Sequence, residues 1–340
     1  MSLAKDLVAA LAPAVPLGLS HSLAGSPLIL PYYHMVSDET LPHVAPLYRY
    51  RTVREFTSDV DFFLEHFKPV GLADIVAHFK HGKALPDDAF FLTFDDGFRE
   101  MYDIVAPILK TKGVSAAFFI NSAFVDNRDL CMHQKIALLI SKLSGGIEPV
   151  LEEKLKKLLS ENGIIGESAI AMFKSVRYKK RAVLDEAAMI LGLDFPEFLE
   201  RQKPYLDSDQ VRGLLRDGFS IGAHSIDHPF YGDLTLDEQL RQTRDSMDYI
   251  CKTFGVSTRS FAFPHSDAGV SRAFFEGSFG QGTIEVSFGT GGLLRDSWDG
   301  HFQRFSMEKT GLPSNAIVSR QFARRLFRNV FGGGTVFHPN

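Results

Sequence analysis

From Pro27 onward, strand-like apolar runs alternate with amphipathic stretches. SPLILPYYHMV reads as a strand, TVREFTSDVDFFLEHF as a helix, AFFLTFDDG as a strand, MYDIVAPILKTKG as a helix and SAAFFINSAF as a strand, with short turns between them. That order predicts a parallel sheet, either doubly wound or closed as a barrel. Beyond Ala123 the pattern changes. Residues 126–205 hold almost no β-branched clusters and show helical spacing, as in VLEEKLKKLLSENG, with Gly145, Gly146 and Gly163 between the pieces. About 75 residues is longer than any ordinary loop, which predicts a helical insertion. The first rhythm then resumes with the helix SDQVRGLLRDG, the strand FSIGAHS, the helix LDEQLRQTRDSMDYICKTFG and the strand SFAFPHS. Ser208 or Asp209 is placed to cap the first of these helices, and Gly218 and Gly255 to close the two. Residues 271–313 are glycine-rich with short strand candidates (IEVSFGT, HFQRFSM), and NAIVSRQFARRLFRNVFGGG forms a last helix with one basic and one apolar face. The expected organisation is one α/β unit over residues 1–125 and 206–340, interrupted by a helical insertion over 126–205.

Composition narrows the classes. With 45% hydrophobic and 23% charged residues, the 340-residue chain has the makeup of a folded globular protein. A formal net charge of -4 supplies no basic footprint for phosphate, so no nucleic-acid partner is expected. Thirty phenylalanines against one tryptophan leave enough aromatic surface for a core and for a few residues lining a cleft. Cys131 and Cys251 lack the paired spacing of a thiolate metal site or a disulfide framework, which points to a reducing, cytoplasmic setting. The N-terminal MSLAKDLVAALAPAVPLGLSHSLAG has a faint signal-peptide character, but Asp6, Pro13 and Pro16 interrupt it. It is read as mature sequence, with MSL as a cloning scar. No segment reaches the roughly 18 apolar residues that span a membrane. The basic face of the last helix could lie on an anionic membrane surface, although packing against the rest of the fold is the preferred reading.

The candidate chemistry begins at FLTFDDGFRE, where Asp95 and Asp96 stand side by side at the end of a buried strand. Neighbouring strand residues point to opposite faces, so both carboxylates can share a pocket only if the strand stops there and the backbone turns. Gly97 permits the turn. Two adjacent carboxylates disfavour joint ionisation unless a cation holds one of them. A solvated turn is the bland alternative. The second stretch is GAHSIDHPF, with His224 and His228 four apart behind the alternating Phe219, Ile221 and Ala223. Pro229 biases His228 away from helix, which places both histidines on a loop after the strand. Together with Asp96 they supply the three N/O ligands of an open zinc site. Imidazole and carboxylate suit cobalt, nickel or iron as well. The remaining aspartate would then serve as a base beside the cation.

TFDDG followed by HSxxxHP resembles the polysaccharide deacetylase family, carbohydrate esterase family 4, also called the NodB homology domain. The likeness covers roughly residues 27–125 and 206–310. It implies a distorted (β/α)7 barrel and removal of N-acetyl groups from an amino-sugar-containing saccharide, with a metal-bound water as nucleophile. It also implies roles: Asp95 as catalytic base, and Asp96, His224 and His228 as ligands of one divalent metal, most simply zinc. The family's third motif is altered here. FAFPHSD keeps Pro264, places His265 where tyrosine is usual and lacks the preceding arginine. The His265 backbone N–H can still face an oxyanion, while Arg295 and Arg304 are candidates to orient Asp95. Phe263, Pro264, His265, Trp298 and Arg304 are the expected substrate-binding residues. The family's histidine general acid has no clear copy near the C-terminus, where His338 lacks a strand-like lead. Some deacetylases resembling this chain have their motifs circularly permuted, which assigns the acid to His34 after LILPYY, with His265 or His301 as fallbacks.

Two other classes stay open from the sequence. A non-catalytic carbohydrate-binding barrel explains the altered third motif but not the retention of Asp95 with all three ligand positions. A metal-dependent phosphoesterase uses similar ligands, yet usually adds a second metal and cationic groups for phosphate.

Overall fold

Seven extended segments build one parallel sheet that curls back on itself. The computed structural model describes residues 28–308, 310–331 and 333–340; the N-terminal stretch read as mature sequence lies outside them. The strands are β1 (Pro31–Tyr33), β2 (Leu92–Phe94), β3 (Ala116–Ile120), β4 (Ser220–Ala223), β5 (Ser260–Ala262), β6 (Val286–Gly289), and a last segment formed by β7 (His301–Gln303) and β8 (Phe305–Ser306). Their neighbour order is β7-β6-β5-β4-β3-β2-β1-β8, with every pairing parallel. β7 pairs with β6 and β8 with β1, and Arg304 alone separates them. One continuous segment thus joins the two edges of the sheet, giving the distorted (β/α)7 barrel.

Alternation along β3 shows how the chain fills this barrel. Ala117 and Phe119 join a cluster with Phe91, Ala262 and Phe288 on the inner face. Ala116, Phe118 and Ile120 face the other way, into the larger core with Phe56, Phe63, Leu109 and Ile250 beneath the helices. Both faces are covered, and the strands are accordingly short unbroken apolar runs.

The helices follow the strands in order. α1 (Val53–His66) and α2 (Leu72–His81) lie between β1 and β2, and α3 (Ala106–Lys112) lies between β2 and β3. Thr52 starts α1 with a capping box closed by Glu55. The insertion supplies α4 (Met132–Ser144), α5 (Pro149–Glu161), α6 (Ala169–Lys174), α7 (Val183–Leu191) and α8 (Phe195–Gln202). Their core of Leu139, Leu155, Phe173 and Leu184 also takes in Met35 and Phe98, which follow β1 and β2, so the insertion is seated on the carboxyl ends of those strands.

Beyond it come α9 (Ser208–Arg216), α10 (Leu236–Phe254), α11 (Arg272–Gly280) and α12 (Ser314–Phe331). The cap of α9 is Asp207, one residue earlier than expected, because its carboxylate reaches the N–H groups of both Asp209 and Gln210. Gly255 closes α10 at φ 68° as anticipated. α2 and α11 were not anticipated. Two glycines within RAFFEGSFG obscure the helical period of α11, and burial of Phe274 and Phe275 decides its conformation instead. α12 buries Ile317, Val318 and Phe322 against the fold, so its apolar face is covered. No described helix is long and apolar enough to cross a membrane.

Candidate active site

The opening problem of the paired aspartates is solved by where β2 stops. After Phe94 the backbone turns left-handed, with φ of 73° at Asp96 and 69° at Gly97. A Cβ on Gly97 would stand 2.9 Å from Ile120 Cγ2, so only glycine fits the turn without a shift in its neighbour. The turn sends the two carboxylates to different partners. Asp95 receives both guanidinium nitrogens of Arg304 at 2.8 Å each. Arg304 is fully buried, within 4.7 Å of the Tyr32 ring centroid, and it also donates to Thr93 Oγ1 at 3.0 Å. Burial pushes the Asp95 carboxyl up, but the Arg304 charge and neighbouring histidines outweigh it and hold the group below its ordinary value.

Asp96 meets the two histidines. Its Oδ1 lies 3.1 Å from His228 Nε2 and 3.4 Å from His224 Nε2. His224 directly follows β4, where its N–H donates to the Ile120 carbonyl at 3.0 Å and its Nδ1 to the Ala262 carbonyl at 2.8 Å. His228 stands on a loop, as Pro229 implied, at φ 64°. A carbonyl can only accept, so Nδ1 of His224 carries a proton, and in the neutral ring Nε2 turns a lone pair toward Asp96. Asp96 Oδ1 is itself buried without a hydrogen-bond donor. Lone pairs and a carboxylate oxygen converging this closely repel unless a proton or a cation stands among them. The three donor atoms lie within 4.8 Å of one another, and the N/O set suits a divalent ion.

His34 enters the same cleft from the end of β1. Glu308, two residues beyond β8, accepts from the backbone N–H groups of His34 and Met35 at 2.8 Å each and meets His34 Nδ1 at 2.6 Å. Burial alone would lower the imidazole, yet Glu308 overrides it and the His34 value is pushed up to about 9. Nε2 is left as the ring's other proton-bearing nitrogen.

The cleft holds about 260 Å³ and is lined by Asp95, Asp96, His34, His228, Phe263 and His265, among others. Cys131, His133 and Gln134, at the start of the insertion's first helix, also line it. The His265 ring lies 4.4 Å from that of His228 and 4.7 Å from that of His133. Burial, and after it the neighbouring His228, holds His265 well below its ordinary value and His133 down at about 4. Burial pushes the Cys131 thiol up.

Some expected placements do not hold. Trp298 is not among the residues lining the cleft. It packs on Phe275 and Phe279, with Arg272 over its ring, because the segment after β6 runs along α11. Arg304 is sealed beneath Asp95, so it braces that carboxylate and is not among the residues lining the cleft. Arg295 is exposed in a separate cleft and does not reach Asp95. His301 also lies elsewhere, beside Asp267 at 3.2 Å. A larger groove of about 650 Å³ between insertion and barrel is lined by mixed charges and has no converging ligand set. Glu308, Cys131 and His133 escaped the sequence reading. Only a strand-end carboxylate in RFSME hinted at the first.

Residues 82–273 match the family profile described as polysaccharide deacetylase. That span holds Asp95, Asp96, His224, His228 and His265, while His34, Arg304 and Glu308 fall outside it. No curated protein sequence matches the chain. Among solved structures, the chain is similar to the Streptococcus pyogenes deacetylase PplD in complex with acetate, with 12% identity over 86% of this chain and 97% of that one and a TM-score of 0.56. It is also similar to IcaB from Ammonifex degensii, at 15% identity over 87% and 98% with a TM-score of 0.55. A third likeness is to a de-N-acetylase from Aggregatibacter actinomycetemcomitans, at 15% identity over 84% and 97% with a TM-score of 0.52. At such identities the likeness concerns the fold.

Proposed function

Because this chain belongs to the polysaccharide deacetylase family, hydrolases of N-acetyl amide bonds, we propose that it deacetylates an amino-sugar-containing saccharide with one divalent ion, zinc, held by Asp96, His224 and His228. The observation that supports this reading is the convergence of Asp95, the Asp96–His224–His228 trio and His34, with Asp95 braced by Arg304, His224 by the Ala262 carbonyl and His34 by Glu308. When bound, the ion supplies Lewis-acid polarisation and lowers the pKa of water.

The chain's own residues account for the proton traffic. Asp95, kept ionised by Arg304, accepts the proton of the attacking water; each oxygen still has a lone pair beyond its guanidinium contact. The backbone N–H of His265 is the proposed donor to the developing oxyanion. As the C–N bond breaks, His34 gives its proton to the amine, which leaves poorly as an anion, and acetate is the other product. A value near 9 keeps His34 protonated at neutral pH, as an acid requires.

The alternatives are weaker on specific grounds. A binding-only barrel has no use for a buried Arg304–Asp95 pair beneath a ligand trio. A phosphoesterase would need cationic groups in the cleft, and no lysine or arginine is among the residues lining it. Acetate release by the zinc-loaded protein across a panel of N-acetylated saccharides tests the proposal. No acetate from any of them, or undiminished release by Asp95→Asn, would overturn it.

A further inference from the structure

The insertion covers strand ends, and it also brings hydrogen-bonding groups into the cleft. Gln134 stands in the first turn of α4, whose Ile136 and Leu139 are buried in the insertion's core, so its position is firmly held. The residue is only 4% exposed, yet it lines the cleft together with His34 and Asp96. A short relay orients its amide. Tyr205 Oη accepts the Cys131 N–H at 3.1 Å, which directs the hydroxyl's own proton to Gln134 Oε1, 3.5 Å away. The amide NH2 is then left for the cleft, and among the described residues it has no acceptor. Tyr48 is in a similar condition. It lines the same cleft with its ring 5.4 Å from that of His34, and its Oη is buried with no hydrogen-bond partner. Buried polar groups left unpaired are costly, and two of them at one cleft point to a ligand that satisfies both.

We propose that Gln134 determines substrate specificity: its amide donates to a ring hydroxyl of one uncharged N-acetylated amino sugar, with Tyr48 Oη as a second contact. The inference rests on the deacetylase reading above and goes beyond it by naming what the cleft recognises. A sugar ring presents hydroxyls at its edge and C–H groups on its faces. The lining answers both, with polar atoms from Gln134 and Tyr48 and apolar ring surface from Tyr32 and Phe263. A volume of about 260 Å³ is on the scale of a single sugar ring. Charge sets the class of sugar. No lysine or arginine lines the cleft, so a phosphate or carboxylate on the substrate would be buried beside Asp95 and Asp96 without a side-chain counter-charge. The barrel thus supplies the reacting groups while the insertion reads the sugar.

The test is kinetic, with the zinc-loaded full chain acting on N-acetylglucosamine, N-acetylgalactosamine and N-acetylmannosamine. Wild type should release acetate from at least one of them. Gln134→Met, of similar length, should lower kcat/KM on that sugar about tenfold, chiefly through KM, with its zinc content retained. Forms of the same sugar that each lack one ring hydroxyl separate contact from shape. One of them should cost wild type about tenfold and Gln134→Met nothing further, because the hydroxyl has already lost its partner. Tyr48→Phe, which removes a single oxygen, should show the same pattern with a different hydroxyl. Equal penalties for every deoxy sugar in wild type and Gln134→Met, zinc lost in step with activity in Gln134→Met, or faster turnover of a phosphate ester of the sugar would overturn the inference. Acetate released from larger saccharides but from none of these monosaccharides would overturn it and leave the deacetylase reading standing, whereas no release from any saccharide would bring down both.

Discussion

Asp95 and Asp96 are neighbours with the same charge, yet the left-handed turn at Asp96 sends them to different partners, and the proposed function gives them different work. A base matters for proton transfer and a ligand for occupancy. Asp95→Asn should therefore retain zinc while losing about a hundred- to ten-thousand-fold in turnover, whereas Asp96→Asn should lose zinc and activity together. Metal content measured beside acetate release checks the division; equal zinc loss in both variants would contradict it. The His34–Glu308 pair makes a prediction in pH. Folding raises the His34 value from an ordinary 6.5 to about 9 despite burial. A raised value means the pair's contribution to stability is complete below about 6.5 and fades as pH climbs through about 9. The protonated acid is lost over the same upper range. Glu308→Gln removes the charge that opposes burial, so the alkaline limb of the activity profile should move to lower pH while zinc content stays unchanged. An unmoved limb would detach His34 from the proton donation assigned to it.

At the scale of elements, the loop after β4 has to hold His228 at a positive φ without the support of a strand. Gln242 on α10 does much of this, accepting from the Ile226 N–H at 2.9 Å and donating to Asp227 Oδ1 at 2.7 Å. Tyr178 of the insertion donates to the other oxygen of Asp227 at 2.5 Å. Gln242→Leu should free the loop and weaken zinc binding by about tenfold, the low end for residues that orient ligands. Competition with a chromophoric chelator measures this, and an unchanged affinity would mean that Tyr178 suffices. The same contacts explain what the sequence could convey. Asp95, Asp96, His34 and His224 were legible because each follows directly on an apolar run, so strand ends could be read from hydrophobic pattern alone. His228 was placed by Pro229. Glu308 was not legible, since it reaches His34 across 274 residues through the pairing of β1 with β8. The lining role of His133 was equally hidden, because helical spacing in the insertion says nothing about which strand ends its first turn overlies. Trp298 was misplaced for the same reason: chemistry suggested a sugar wall, while topology carried it to α11.

The whole molecule closes at one residue that the catalytic proposal also needs. Arg304 is the hinge between β7 and β8, joining the two edges of the barrel, and its guanidinium fills the barrel interior beneath Asp95. The pair spans 209 residues of sequence, so it couples closure of the fold to the ionisation of the base. Removing one partner of such a buried pair leaves an uncompensated charge, which costs about 3–5 kcal/mol. Arg304→Met, of similar length, should lose stability on that order near pH 7 in the metal-free chain. Its pH dependence follows from the direction of the Asp95 shift. In the native chain the carboxyl is held below its ordinary value, so the pair stabilises above the acid range and this contribution falls away as pH drops through the depressed value. Without the guanidinium, burial dominates and raises the carboxyl, and the deficit of Arg304→Met should shrink as the medium is acidified and Asp95 takes up a proton. Adding Asp95→Asn removes the stranded charge altogether, so the double variant should recover much of the lost stability at pH 7 while remaining inactive. Urea unfolding of the single and double variants at pH 7 and at mildly acidic pH distinguishes the cases. A double variant as unstable as Arg304→Met at both values would show that Arg304 holds the barrel shut by its shape and its bond to the Gly289 carbonyl, with the charge of Asp95 playing no part in closure.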